Sequence, residues 1–247
     1  MSRLSNISKG DSVNKCTAYI NAVFNVNLAR KSLKKLLENM PVSDMKIMNA
    51  HYAYTAIAEI IVLYLVRKSV KYNTKSSNKA DLYEVSYENI LQGVRESKSF
   101  DPRIKDLVNS FNPEGINYIT TFFDTETTLR TFLETKTFQN TTNIHFNKGT
   151  LNCICYILSH TLSYLTYTSC VLSEFGKKKN IQIKNFKYAS MICFSNELRD
   201  IIIQRIDEII TLFAGAKDIV DEKEDEQEED EGHEGHEEEE EQEEEDE

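Results

Sequence analysis

Two segments of the chain, about Met45 to Tyr72 and about Thr150 to Phe175, carry apolar residues at helical spacing over lengths that no short neighbour can cover. The first stripe is Ile47, Ala50, Tyr54, Ile57, Ala58, Ile61, Tyr64 and Leu65; the second is Leu151, Ile154, Leu158, Leu162, Leu165 and Leu172. At ~1.5 Å per residue the first helix would extend roughly 40 Å. Each therefore needs a partner of similar length, and each can serve the other.

The elements flanking these segments come in the same order twice. Ahead of the first, Leu28 to Met40 reads as a helix with Leu33, Leu36, Leu37 and Met40 on one face, ended by Pro41; Ser43 or Asp44 can then cap the long helix. Behind it, the polar run Asn73 to Asp81 breaks the pattern, Leu82 to Val85 reads as a short strand, Ser86 caps a helix over Tyr87 to Val94, and Asp101-Pro102 starts another to Phe111. After the break at Asn112 to Gly115, a helix over about Thr125 to Phe138 and a loop from Gln139 to Lys148 lead into the second long helix, which Gly176 ends. There follow Lys177-Lys178-Lys179, an extended Ile181-Gln182-Ile183, a short helix capped near Asn185, and an amphipathic helix from Asn196 to Phe213. With only 8 Gly and 3 Pro to make turns, and 40% hydrophobic residues to fill a core, the expected class is all-α.

The formal net charge of -11 hides a partition. The last 27 residues, Asp221 to Glu247, hold 20 acidic side chains and Lys223 as their one base, out of 40 acids and 29 bases in the chain. Residues 1–220 are left with 20 acids and 28 bases, a body of net +8 joined to a tail of net -19. The most apolar stretch, Ala56 to Val66, contains Glu59 and is too short for a bilayer, and the N-terminal residues lack the apolar core of a signal peptide. The expected setting is thus intracellular and reducing, with the five cysteines as buried core residues rather than disulfides or a zinc site. His233 and His236 in the tail offer a metal no fixed geometry. No phosphate-loop, nucleophile-elbow, zinc-protease or dinucleotide motif occurs, and His51, His145 and His160 have no evident nucleophile beside them. We therefore expect no enzyme, cofactor, metal or small-molecule substrate.

A short helix, a long central helix and a second short helix, with an extended loop on either side of the central one, is the pattern of the histone fold. In histones the second loop carries an aliphatic residue, followed five residues later by an apolar one and eight later by a small or aliphatic one. The first half has Leu82, Tyr87 and Ile90 at these places; the second has Ile181, Phe186 and Ala189. With KIMNAHYAYTAIAEII in the first half and KKKNIQIKNFKYASMI in the second, the chain resembles the fused histone doublets of giant DNA viruses over about Leu28 to Phe213. The resemblance implies two tandem histone folds paired as an intramolecular pseudo-heterodimer. Its boundaries would be an N-terminal extension over 1–27, a first fold over 28–112, a second over 113–217, and a disordered acidic tail over 218–247. A single helical bundle whose stripes are merely core is the alternative.

In a histone pair the first loop of one half lies beside the second loop of the other, and both ends meet DNA phosphate. Carried onto this chain, one end joins Lys46 to Lys177, Lys178 and Lys179, and the other joins Lys148 to Lys75 and Lys79. Between them the first helices present Arg30, Lys31, Lys34, Lys35, Arg130 and Lys136, and helix N-termini near Ser43, Asp44 and Thr150 add backbone donors. Each lysine taken singly is better read as a solvated surface charge; their convergence is the argument. The implied role is non-enzymatic packaging of duplex DNA, such as a viral genome, without sequence preference, in a nucleus, viral factory or virion, with a second doublet or other histones as further partners and no membrane contact. With 8 Arg against 20 Lys in residues 1–220 and few bases before residue 16, wrapping would be weak. The tail reads about equally as an internal DNA mimic or a solubilising extension, with a chaperone-like binder of basic partners as a third reading. A histone-fold interaction or assembly subunit is the alternative function.

Overall fold

A computed structural model describes residues 26–41, 45–72, 83–118, 129–133 and 144–214. The described chain is all-α apart from four three-residue strands. The first half runs α1 (Val26–Glu38), β1 (Lys46–Met48), α2 (Ala50–Val70), β2 (Tyr83–Val85), α3 (Tyr87–Glu96) and α4 (Pro102–Leu107), the last continued by a 3-10 turn over Val108–Ser110. The second half has helical residues at 129–133, then β3 (Ile144–Phe146), α5 (Lys148–Phe175), β4 (Asn180–Gln182), α6 (Ile183–Cys193) and α7 (Asn196–Ala214).

Two parallel strand pairs join the halves crosswise. β1 pairs with β4 in the register Lys46 to Asn180, and β2 pairs with β3 in the register Tyr83 to Ile144. β1 leads into the start of α2 while β4 follows the end of α5; β2 follows the end of α2 while β3 leads into α5. The two long helices must therefore run antiparallel past each other. Every residue from Ala50 to Ala58 is buried, which a helix shows when it is enclosed on all sides. α3 packs on α5 as well as on its own α2, and α6 packs on α2 as well as on its own α5. The terminal helices repeat the exchange, α4 lying on α5 and α7 on α2.

The buried side chains consequently form one cluster drawn from both halves. Tyr54 of α2 meets Phe186 of α6 edge to face at 6.0 Å, and Phe100 stands between Tyr64 (5.8 Å) and Phe194 (6.3 Å). The Tyr64 hydroxyl donates to Ser99 Oγ at 2.9 Å, and the Ser195 backbone N–H donates to the Ser99 carbonyl at 3.0 Å. Lys68 and Arg67 reach Glu197 at the start of α7, at 2.7 and 3.3 Å.

Several local expectations are corrected. The first long helix does not start near Met45: Lys46–Met48 is paired as strand, and Asn49, in the left-handed region at φ 56°, precedes a helix that begins at Ala50. Pairing with β4 overrides the helical spacing at Ile47. The second long helix starts at Lys148 with Asn147 as its cap, accepting from Thr150 N–H at 2.8 Å, rather than near Thr150. Gly176 ends this helix as expected, at φ -76°, while the left-handed conformation falls on Lys177 at φ 53°. The extended piece is Asn180–Gln182; α6 begins at Ile183, with Gln182 as cap and Asn185 as its capping-box partner. Ser86 and Asp101 cap α3 and α4 as expected. Leu82, Cys16, most of the helix expected over Thr125 to Phe138 and the acidic tail lie outside the described residues.

Candidate nucleic-acid interface

The β1–β4 pair gathers lysines from sequence positions more than 130 residues apart. Lys46 N–H donates to the Lys179 carbonyl at 2.9 Å, so Lys46 and the run Lys177-Lys178-Lys179 stand at one end of the molecule, all four exposed. None of these ammonium groups meets a carboxylate of the described residues.

The lysine run is held by the buried Ser173. Its hydroxyl donates to the carbonyls of Asn180 (2.6 Å) and Lys178 (3.2 Å), while Lys178 N–H returns a bond to the Ser173 carbonyl at 3.0 Å. Lys177 N–H donates to the Glu174 carbonyl at 2.8 Å, completing a tight left-handed turn that a lysine enters at a cost of about 1 kcal/mol relative to glycine. The backbone is thus fixed while the side chains stay free. Next to this end, His51 sits in the first turn of α2 with Nδ1 buried and unpaired. Burial, and secondarily the positive charge of Arg30, push its pKa down to about 4, so the imidazole is neutral at neutral pH.

Arg30, Lys31, Lys34 and Lys35 are exposed along α1, and Lys34 makes an exposed i,i+4 contact to Glu38 at 4.0 Å. The opposite end is less basic in its described part. Lys148 is exposed at the first position of α5, but Glu84 of β2 lies opposite His145 and takes a hydrogen bond from Asn147 Nδ2 at 3.4 Å. Thr150 Oγ1 donates across the halves to the Val85 carbonyl at 2.9 Å and fixes this loop pair. Arg130 donates to the Phe146 carbonyl, so its guanidinium supports β3 as well as adding charge. Lys75, Lys79 and Lys136, with Ser43 and Asp44, lie outside the described residues.

The structure brings Lys46 to Lys177, Lys178 and Lys179 and leaves the second cluster represented by Lys148. Two contributors escaped sequence reasoning. Nothing marks Ser173 in the sequence, since its partners arise only once the turn forms; the Arg30–His51 proximity needs the α1–α2 packing. A shallow cleft of about 420 Å³ between Met40, α4 and α5 is lined by Arg103, Ile104, Leu107, His160, Ser163, Tyr164 and Tyr167. Burial lowers the pKa of His160, whose ring lies 4.5 Å from Tyr156. Cys153, Cys155, Cys170 and Cys193 are free, buried thiols, their pKa values raised by burial, to about 11 for Cys170 and Cys193. Among the described residues no group of three or more His, Cys, Asp or Glu is placed to hold a metal, and no helix is long and apolar enough to cross a membrane. No protein-family model and no curated protein matches the chain.

Proposed function

We propose that the chain is a tandem pair of histone folds closed on itself, of the kind found in fused viral histone doublets, and that it binds duplex DNA through phosphates without reading sequence. The observation that carries this reading is the parallel pairing of β1 with β4, which joins Lys46 to Lys177, Lys178 and Lys179 at one exposed end. Pairing the first loop of one half with the second loop of the other at both ends, with long helices antiparallel between them, is the arrangement that the histone resemblance implies. The basic balance of residues 1–220 supplies the long-range attraction. Few arginines favour contact over stable wrapping. The protein acts non-enzymatically, and the acidic tail competes with DNA for the same lysines.

The 20 acids after residue 220 favour a second reading, in which the pair is an assembly subunit or a chaperone-like module and the tail binds basic partners. The test is affinity for unrelated duplexes, measured over a salt series with the full chain and with residues 1–220. The first reading expects binding that weakens steeply with salt, is indifferent to sequence, and tightens when the tail is removed. Failure of residues 1–220 to bind even at low salt overturns it and leaves the second.

A further inference from the structure

Lys46, Lys177, Lys178 and Lys179 stand together, exposed, with no carboxylate of the described residues to meet them. The course of α7 shows what the chain brings to them. Glu197, at its start, takes the ammonium of Lys68 and the guanidinium of Arg67 near the end of α2, and Asp207, further along, takes Lys187 in the second turn of α6. α6 in turn begins beside the start of α2, where Gln182 bridges to Asn49. α7 therefore runs back along α2, antiparallel to it, toward the lysine end. The lengths agree: 18 residues from Glu197 to Ala214 stand against 19 from Ala50 to Lys68, each spanning about 26 Å at ~1.5 Å per residue. The end of α7 thus comes level with the β1–β4 pair.

The acidic part of the chain starts close behind it. Six residues, 215–220, separate α7 from the run 221–230, which holds eight carboxylates against Lys223, a net charge of -7. The link from Ala214 to Asp221 spans at most about 25 Å, which sets the first acids beside the lysine end. The other basic end, at Lys148, lies past the far end of α2, about 30 Å along the helix, and has Glu84 beside it.

We propose that residues 221–230 dock on Lys46, Lys177, Lys178 and Lys179 of the same chain, so that the tail closes this phosphate-binding end and leaves the Lys148 end open. The charges are complementary, and neither set has another partner on the described fold. Tethered by six residues, the acids face the lysines at an effective concentration on the order of mM, which favours contact within the chain over contact between chains. Salt screens the ion pairs and releases the segment. The contact itself follows from charge and chain connectivity; that it regulates DNA binding rests on the proposed function. A duplex then reaches the β1–β4 end only by displacing the tail, whereas a basic polypeptide that captures the tail opens that end to DNA.

Acetylation of the full chain by a limiting amine-reactive ester, read lysine by lysine by peptide mass spectrometry, tests the contact without DNA. Lys98 is the reference: it is exposed, and its carbonyl is bonded by Ser195 and Asn196 at the start of α7, away from the tail. One full-length variant has the eight acids of 221–230 replaced by Asn and Gln, and another the ten acids of 237–247. At about 20 mM salt the four lysines should react at least about threefold more slowly in the natural chain than in the first variant, and the difference should vanish by about 0.5 M. The second variant should keep most of the protection, and Lys98 should react alike in all three chains. Helicity by circular dichroism checks that the fold is unaltered. Equal reactivity of the four lysines in the natural chain and the first variant, equal protection of Lys98, protection lost in the second variant alone, or protection that rises with protein from about 1 to 100 µM each overturns the proposal. Protected lysines in a chain whose residues 1–220 fail to bind duplex DNA at low salt uphold the docking and overturn the proposed function instead.

Discussion

Replacing Phe186 by Ala tests whether the halves share one core. The ring is fully buried and meets Tyr54, itself fully buried, across the boundary between the halves at 6.0 Å and 81°. Removing about 200 Å² of aromatic surface costs up to about 5 kcal/mol at ~25 cal/mol/Å², and partial collapse of the cavity sets the lower end near 3 kcal/mol. For a chain of this size that lowers the Tm by about 10 °C. Urea unfolding followed by circular dichroism and by tyrosine fluorescence, the chain having 12 Tyr and no Trp, should show both signals shifting together with unchanged slope. In a double-mutant cycle with Tyr54→Leu, about 0.5–1.5 kcal/mol of the loss should appear as coupling. A loss below about 1 kcal/mol, or a split into two transitions of which only one moves, refutes the shared core.

Ser173→Ala removes the hydroxyl bonded to the Asn180 and Lys178 carbonyls and leaves the former without this donor; a loss of about 1–2 kcal/mol is expected in urea unfolding, with no change in helicity, and an unchanged midpoint contradicts the role of Ser173 in holding the lysine turn. His51, held neutral by burial with a pKa of about 4 against an ordinary 6.5, gives its full contribution to stability above pH 6.5 and loses it as pH falls from 6.5 to 4, because there the unfolded chain takes up a proton that the folded chain refuses. The loss should reach about 2–3 kcal/mol after allowance for residual solvent at the ring, and His51→Gln should flatten stability against pH over that window; an unaltered profile contradicts it.

Much of this architecture was legible because helix periodicity and caps are local signals. Ser86 and Asp101 cap where their side chains can reach the following N–H groups, and the stripe from Ile57 to Leu65 is buried because nothing but another long helix could cover it. The lines that sequence drew badly are those set by distant partners. Lys46–Met48 has helical spacing yet pairs as strand with Asn180–Gln182, and the left-handed turn falls on Lys177, whose own N–H bonds the Glu174 carbonyl while Lys178 N–H bonds the Ser173 carbonyl. The convergence of Lys46 with Lys177, Lys178 and Lys179 was readable only through the histone resemblance. Spacing within each segment says nothing about which segments meet.

In the proposed function, lysines far apart in sequence act as one phosphate-binding end. The direct measurement is the slope of log affinity for a duplex against log salt concentration, for the full chain and for a variant carrying Lys46→Gln with Lys177→Gln, Lys178→Gln and Lys179→Gln. All four are exposed and unpaired with any described carboxylate, so the fold should be unaffected. If each meets a phosphate, the slope becomes shallower by about 3.6, of which Lys46 alone accounts for about 0.9. A slope unchanged by the quadruple replacement, with the fold intact, contradicts the claim.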